Sequence, residues 1–277
     1  MSPFRQATII GVGMIGGSIG LALRKKKIFR VGFDRPEVLR KAFKMGSIDR
    51  TAGNLSQAVN GADLVIFAMP VGGILEIIPE AARLAIPALI TDVGSTKVEV
   101  CRLAKKRHLN NFIGGHPLAG KEKGGIENAN GGLFVGASWF LCPNGNSTSL
   151  ARMKNFVRLL GARPVVVEPE RHDRILAAAS HLPQLVSSLL AATVYEFLRN
   201  ESYSLNAFAG TGLKDSIRLA GSSFSVWKDV FATNHLEIGR ALNRFAERVN
   251  QISDVAFRSG ILKRRFAEAN AFMRRLE

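Results

Sequence analysis

Ala7-Thr8-Ile9-Ile10-Gly11-Val12-Gly13-Met14-Ile15-Gly16 is the stretch that decides the fold. An apolar, β-branched run flows into G-x-G-x-x-G, and residues 14–26 after it carry helical spacing. Gly11 allows a tight turn, Gly13 lets the backbone approach a pyrophosphate, and Gly16 permits close packing of helix on strand. Met14 and Ile15 open the helix, whose N-terminal amides and positive dipole end suit phosphate. Alone, the motif is weak. It gains weight from the next apolar run, residues 28–33, which leads into Asp34 about twenty residues on, where a carboxylate can accept from ribose hydroxyls. That carboxylate favours NAD because it repels a 2′-phosphate. Arg35 beside it can accommodate one, so NADP stays open.

Outward from this unit the pattern repeats. Residues 8–12, 28–33, 64–69, 88–93, 112–115, 139–142 and 164–167 read as strands, most of them continuously apolar as buried parallel strands are. Between them, residues 14–26, 36–45, 71–84, 96–107 and 149–160 have helical spacing. Such alternation predicts an α/β fold with a Rossmann-type, doubly wound, mostly parallel sheet. After Glu168 the strand signals stop, and 177–198, 205–219, 224–257 and 261–276 are long and helix-periodic. Pro169 marks the junction. The expected division is a dinucleotide-binding domain over residues 1–168 and an all-α substrate and dimerisation domain over 169–277. So many apolar helical faces in one short segment cannot all be buried internally, which predicts a homodimer through the helical half.

Across 277 residues, 47% hydrophobic and 22% charged content is ordinary for a soluble globular protein. Cys101 and Cys142 lack C-x-x-C spacing, which favours a reducing compartment and argues against a zinc site; no metal is expected. No apolar run reads as membrane-spanning. The N-terminal M-S-P-F-R-Q-A-T turns glycine-rich too early for the core of a secretory leader, so a cytoplasmic protein is expected. The net charge of +16 raises nucleic acid as a partner. Yet the cations are scattered, and two of their clusters end helices, where they complement the macrodipole. Only two Tyr and two Trp are present to stack on bases. No nucleic-acid partner is expected; a positive field that draws anionic cofactor and substrate is the simpler account.

In an open α/β sheet, ligands bind beyond the carboxyl ends of the strands. Three segments end there. Ala68-Met69-Pro70 adds Met69 and Pro70 to the cofactor edge. Thr91-Asp92-Val93-Gly94-Ser95-Thr96-Lys97 offers Ser95, which reads equally well as a helix N-cap. Ile113-Gly114-Gly115-His116-Pro117 offers His116, expected in a glycine-framed loop that presents an imidazole suited to proton transfer near neutral pH. The plainer alternative is a satisfied histidine near the core.

D-V-G-S-T-K from Asp92, G-G-H-P-L-A-G-K-E-K-G-G from Gly114, A-A-A-S-H-L-P-Q from Ala177, and K-D-S-I-R-L-A-G-S-S from Lys214 followed by V-W-K-D resemble the prephenate/arogenate dehydrogenase family. The resemblance runs nearly end to end. It implies oxidative decarboxylation of prephenate to 4-hydroxyphenylpyruvate with hydride transfer to NAD, in tyrosine biosynthesis. The alternative it carries is arogenate, or both substrates, giving tyrosine. It implies that His116 hydrogen-bonds the ring hydroxyl and takes its proton, with Ser95 on the same hydroxyl. Hydride loss turns that hydroxyl into a carbonyl, so a neutral imidazole in reach helps by roughly a hundredfold or more. Aromatisation then drives off carbon dioxide, so no metal or covalent nucleophile is required.

By the same resemblance Arg218 grips the ring carboxylate, as its bidentate fork suits. His181 lies near the side-chain end, Trp227 helps to build the pocket, and Glu122 and Asp215 sit beside the arginine and gate it electrostatically. On spacing alone, Asp215 and Arg218 also read as a surface i, i+3 pair, and His181 as a helix start. Lys121, if turned inward, favours a wholly anionic substrate side chain and hence prephenate. The chain, ending in helices at Glu277, is expected to carry no separate regulatory domain. Two other readings compete. A hydroxyacid- or imino-acid-type dehydrogenase fits the His116 segment and Ser-His-Leu-Pro poorly. A dinucleotide-sensing protein without turnover would have little use for Ser95, His116 and Arg218 together.

Overall fold

Among the described residues, eight strands form one sheet in the order β3-β2-β1-β4-β5-β6-β7-β8. They are β1 Gln6–Ile10, β2 Phe29–Phe33, β3 Arg50–Thr51, β4 Leu64–Phe67, β5 Leu89–Asp92, β6 Phe112–Pro117, β7 Ser138–Cys142 and β8 Arg163–Val166. The computed structural model describes residues 4–120, 124–201, 207, 209–252 and 260–276. Every strand pair is parallel except β6 with β7. The helices between them are α1 Met14–Arg24, α2 Pro36–Lys44, α3 Leu55–Val59, α4 Val71–Arg83, α5 Val98–Lys106 and α6 Ser147–Leu159.

The mostly apolar runs of β1, β4 and β5 follow from burial on both faces. Ile9, Ile66 and Leu89 point to one side, packing with Ile19 and Leu23 of α1 and Phe156 of α6. Ile10, Val65, Phe67 and Ile90 point to the other, with Ile74 and Ile78 of α4 and Val100 of α5. Burying such a side chain contributes roughly 1.5–3 kcal/mol, so the two faces together hold the sheet that carries the site. The sequence reading missed β3 and α3. Two residues at a sheet edge and five in a helix are too short for a period to show, although Asn54 caps α3 by accepting from Gln57 N–H (2.9 Å).

One difference matters for function. His116 is not in a loop: β6 continues through Pro117, and His116 pairs with Phe140 of β7. Gly115 makes this possible, because a Cβ there would stand 2.4 Å from the Asp92 carbonyl oxygen of β5. The glycines ahead of His116 thus let two strands close together rather than loosen a loop.

The helical half runs α7 Pro169–Leu176, a π-helical turn Ala177–His181, α8 Leu182–Leu198, α9 Thr211–Ile217, a 3₁₀ turn Arg218–Gly221, α10 Phe224–Thr233, α11 His235–Asn250 and α12 Gly260–Met273. The helix expected from 177 starts at Pro169. Pro183 lacks an N–H, and the widened π turn just before it accommodates the missing bond. The helix expected over 224–257 breaks at Asn234. Pro169–Leu198 is long and apolar enough to cross a membrane by length and composition alone (mean hydropathy 1.4 over 18 residues). Its first half is not built for lipid, however. His172, Asp173, Leu176, Ala177, His181, Gln184 and Ser187 are buried within the protein, while Leu189, Tyr195 and Phe197 further along are exposed.

Candidate active site

The glycine loop meets the demands of a dinucleotide. Gly11 has φ +90°, and a Cβ there would lie 2.5 Å from the Ala68 carbonyl oxygen just past β4, so only glycine fits this turn from β1 into α1. Around Gly13, by contrast, no atom of the described residues beyond its own chain neighbours stands within 4 Å of where a Cβ would be. This is open space over the start of α1, a helix with no side-chain cap and no acidic residue in its first turn. Its amides are available to a pyrophosphate. Asp34, at the end of β2, accepts from Val12 N–H (2.7 Å) and Arg35 N–H (2.7 Å), which ties the glycine loop to the end of β2. Arg35 Nε leans on Asp34 (3.9 Å) and Glu37 (3.5 Å). Met69 and Pro70 follow β4, with Pro70 at the start of α4.

Ser95 and His116 are held in register by a buried ion pair. Asp92, the last residue of β5, accepts from Gly94 N–H (2.8 Å), from Gly115 N–H of β6 (3.0 Å) and from the Lys97 ammonium. Both side chains of the pair are wholly buried. One carboxylate therefore fixes the loop carrying half-buried Ser95 and the strand carrying His116. Ser95 is not the N-cap of α5; Lys97 holds that place, without a side-chain cap bond of its own.

The missing cap comes from the helical half. Asp173 accepts from Lys97 N–H (2.7 Å) and Val98 N–H (2.9 Å), stabilising the positive end of α5. Asp229 of α10 does the same for α4, accepting from Gly72 N–H (2.9 Å). Thr96 and Thr233 hydroxyls meet at 2.7 Å. Two nucleotide-side helices are thus capped by carboxylates from α7 and α10, which seats the helical half over the carboxyl ends of the strands.

That seating brings three imidazoles together. His116 Nδ1 lies 2.9 Å from His172 Nε2, and His172 Nδ1 lies 2.7 Å from Asp173 Oδ1. Asn234 Nδ2 donates to the Asp173 carbonyl (2.9 Å) and stands 3.2 Å from His181 Nδ1. Among the described residues, buried His181 Nε2 has no hydrogen-bond partner. The Trp227 ring is edge-on to His181, with centroids 6.0 Å apart. Arg218 is exposed and opens the 3₁₀ turn, whose neighbourhood is fixed to α8 by Gln184 Nε2 donating to Leu219 O (2.8 Å) and Ser187 Oγ to Ser216 O (3.0 Å). Asp215 is exposed, just ahead of Arg218. Lys121 and Glu122 lie outside the described residues.

Sequence reasoning passed over His172, Asp173, Asp92, Lys97, Gln184 and Asn234. A signal for the first two existed. His172 and Leu176 share one face of α7 at i, i+4, so an adjacent His-Asp pair occupies what the apolar period marks as the buried side.

Burial holds the His116 and His172 imidazoles below their ordinary range, and His181 down to about 4. All three are therefore neutral at pH 7. The unfolded chain binds a proton at His181 near pH 6.5, so between pH 6.5 and 4 unfolding takes up protons. The resulting stability is complete above 6.5 and is lost as pH falls through that window, on the order of 3 kcal/mol for His181 alone. Urea midpoints measured from pH 7 to 4 are expected to fall, and His181→Gln to flatten the decline. An unchanged slope in that variant would contradict the assignment.

The family model described as "Prephenate dehydrogenase, nucleotide-binding domain" matches residues 19–166, and that described as "Prephenate dehydrogenase, dimerization domain" matches residues 168–260. The chain is similar to the prephenate dehydrogenase of Bacillus subtilis, with 35% identity over 259 residues, 89% of this chain and 68% of that one. It is similar to the cyclohexadienyl dehydrogenase of Zymomonas mobilis, with 28% identity over 255 residues, 88% and 86% of the two chains. Its fold is similar to the crystal structure of Aquifex aeolicus prephenate dehydrogenase in complex with hydroxyphenyl propionate and NAD+, with TM-score 0.87, 27% identity and coverage of 99% and 98%. With both domain models matched in order and a neutral histidine seated where the two halves meet, this chain belongs to the prephenate dehydrogenase family.

Proposed function

We propose that this chain oxidatively decarboxylates prephenate to 4-hydroxyphenylpyruvate in tyrosine biosynthesis. The observation that carries the reading is His116: a buried, neutral imidazole on β6, among residues of both halves, in a chain of this family. NAD, when bound, supplies the hydride acceptor. Gly11, Gly13, Met14, Ile15 and Gly16 hold its pyrophosphate, Asp34 its ribose, and Met69 and Pro70 border the nicotinamide side. Asp34 and Glu37 occupy Arg35, which leaves that corner unsuited to a 2′-phosphate.

His116 accepts the ring hydroxyl proton as the carbonyl forms, and Ser95 orients the same hydroxyl. The orphaned Nε2 of His181 suits the keto-acid side chain, because a neutral ring accepting at Nδ1 carries its hydrogen on Nε2. Trp227 walls that end. Arg218 takes the ring carboxylate, with Asp215 and Glu122 setting the charge around it, and Lys121 favours prephenate over arogenate. Arg218→Gln is expected to raise KM for prephenate about 10- to 100-fold with kcat little changed, as loss of a charged bidentate contact should. An unaltered KM in steady-state kinetics would remove Arg218 from the substrate site.

The working division is residues 1–168 for the cofactor and 169–277 for substrate and assembly. Tyr195, Phe197, Phe224, Leu236 and Phe266 are exposed on the helical half, and a second copy covering them accounts for so much apolar surface. Light scattering is expected to give twice the 30.1 kDa chain mass; a monomer would contradict this. The expected setting is the cytoplasm.

A further inference from the structure

His116, His172 and Asp173 form a chain of two short contacts, and chemistry assigns each hydrogen. Both Asp173 oxygens already accept backbone N–H groups, so the carboxylate is an acceptor and His172 Nδ1 must be the donor (2.7 Å). His172 is wholly buried, with Phe140 edge-on at 5.3 Å, and burial together with nearby Lys97 keeps it neutral. A neutral ring with hydrogen on Nδ1 has a bare Nε2, which can only accept. His116 Nδ1 must then donate across the 2.9 Å contact.

We propose that His172 and Asp173 are positioning residues that lock His116 in its Nδ1–H tautomer, so that Nε2 is the acceptor offered to the substrate hydroxyl. Among the described residues, His116 Nε2 has no competing partner. The inference rests on the function proposed above and assigns the atom that performs it.

The proton balance shows why the tautomer matters. Turning the ring alcohol into a phenol removes a hydride and carbon dioxide but no net proton. As the hydride leaves the ring carbon for NAD, the O–H bond breaks and Nε2–H forms. When the carbon–carboxylate bond breaks, its electron pair aromatises the ring and returns charge to the oxygen, which takes the proton back from Nε2. In between, the His116 cation donates through Nδ1 to His172, whose partner is the Asp173 carboxylate. The other charged or titratable groups around the two rings are Lys97 before α5, Asp92 on β5 and His181 in the π turn. Protonating His172 would make its Nε2 a donor and force His116 into the wrong tautomer, so the acid limb of kcat reports on both rings.

His172→Leu removes the acceptor, whereas His172→Gln can accept from His116 at Oε1 and donate to Asp173 at Nε2. The Leu variant is expected to lose about 100-fold or more in kcat, as imidazoles in the wrong tautomer do, with NAD affinity near wild type. The Gln variant should recover most of it. Nitrogen-15 NMR of labelled histidines reads the tautomer directly and without turnover: His116 should carry its hydrogen on Nδ1 in the wild type and Gln variant, and be mixed in the Leu variant. A wild-type His116 protonated on Nε2, or a Leu variant with full kcat, would overturn the proposal. An Nδ1–H signal in a protein that makes no NADH from prephenate would instead uphold the tautomer and overturn the proposed reaction.

Discussion

Replacing His116 by Asn is expected to lower kcat for prephenate by about 10²–10⁴-fold, with NAD affinity nearly unchanged. The asparagine amide can donate to His172 as the imidazole does, so the β6 strand and its contacts survive. It cannot hold a proton. The loss therefore isolates the acid–base role from the structural one, and fluorescence titration with NAD separates it from cofactor binding. The contacts proposed for the cofactor are on the β1–α1 loop and at Asp34, whose carboxylate accepts from Val12 and Arg35 amides that this substitution does not touch. Unchanged turnover would mean that another group takes the proton.

The largest stability effect is expected at Lys97. Its ammonium meets Asp92 with neither side chain exposed. Lys97→Met leaves the carboxylate in the interior with only the Gly94 and Gly115 amides to satisfy it. Breaking a buried pair in this way costs about 3–5 kcal/mol, a drop of several degrees or more in Tm. Replacing both partners, Asp92→Asn with Lys97→Met, should recover part of that loss, because no uncompensated charge remains. Denaturant midpoints for the two single variants and the double variant check this. A Lys97→Met cost below about 1 kcal/mol would show that the pair is not what fixes Ser95 against His116.

The sheet was legible wherever burial on both faces left a mostly apolar run, as in β1, β4 and β5. The cofactor loop was legible because glycine is read through what it permits: the +90° turn at Gly11 and the open approach at Gly13. His116 stood out by residue type but was placed in the wrong setting. Glycines before a histidine suggest a loop, whereas here Gly115 makes room for the backbone of β5. The groups that tune His116 were not legible. His172 and Asp173 sit 56 or more residues away, and Asp173 acts by capping a helix whose own N-cap lacks a side-chain bond. A contact supplied from a distant element leaves no trace in local spacing. The helix from Pro169 was read short because its buried face opens with His172 and Asp173, so no apolar period shows before Leu176.

Steady-state kinetics with NAD and either prephenate or arogenate, following NADH and carbon dioxide together, tests the proposed reaction itself. One carbon dioxide per NADH, 4-hydroxyphenylpyruvate as the product and a higher kcat/KM for prephenate are the expected results. NAD binding with no NADH from either substrate would contradict the proposed oxidation, and an equal or higher kcat/KM for arogenate would contradict prephenate as the substrate.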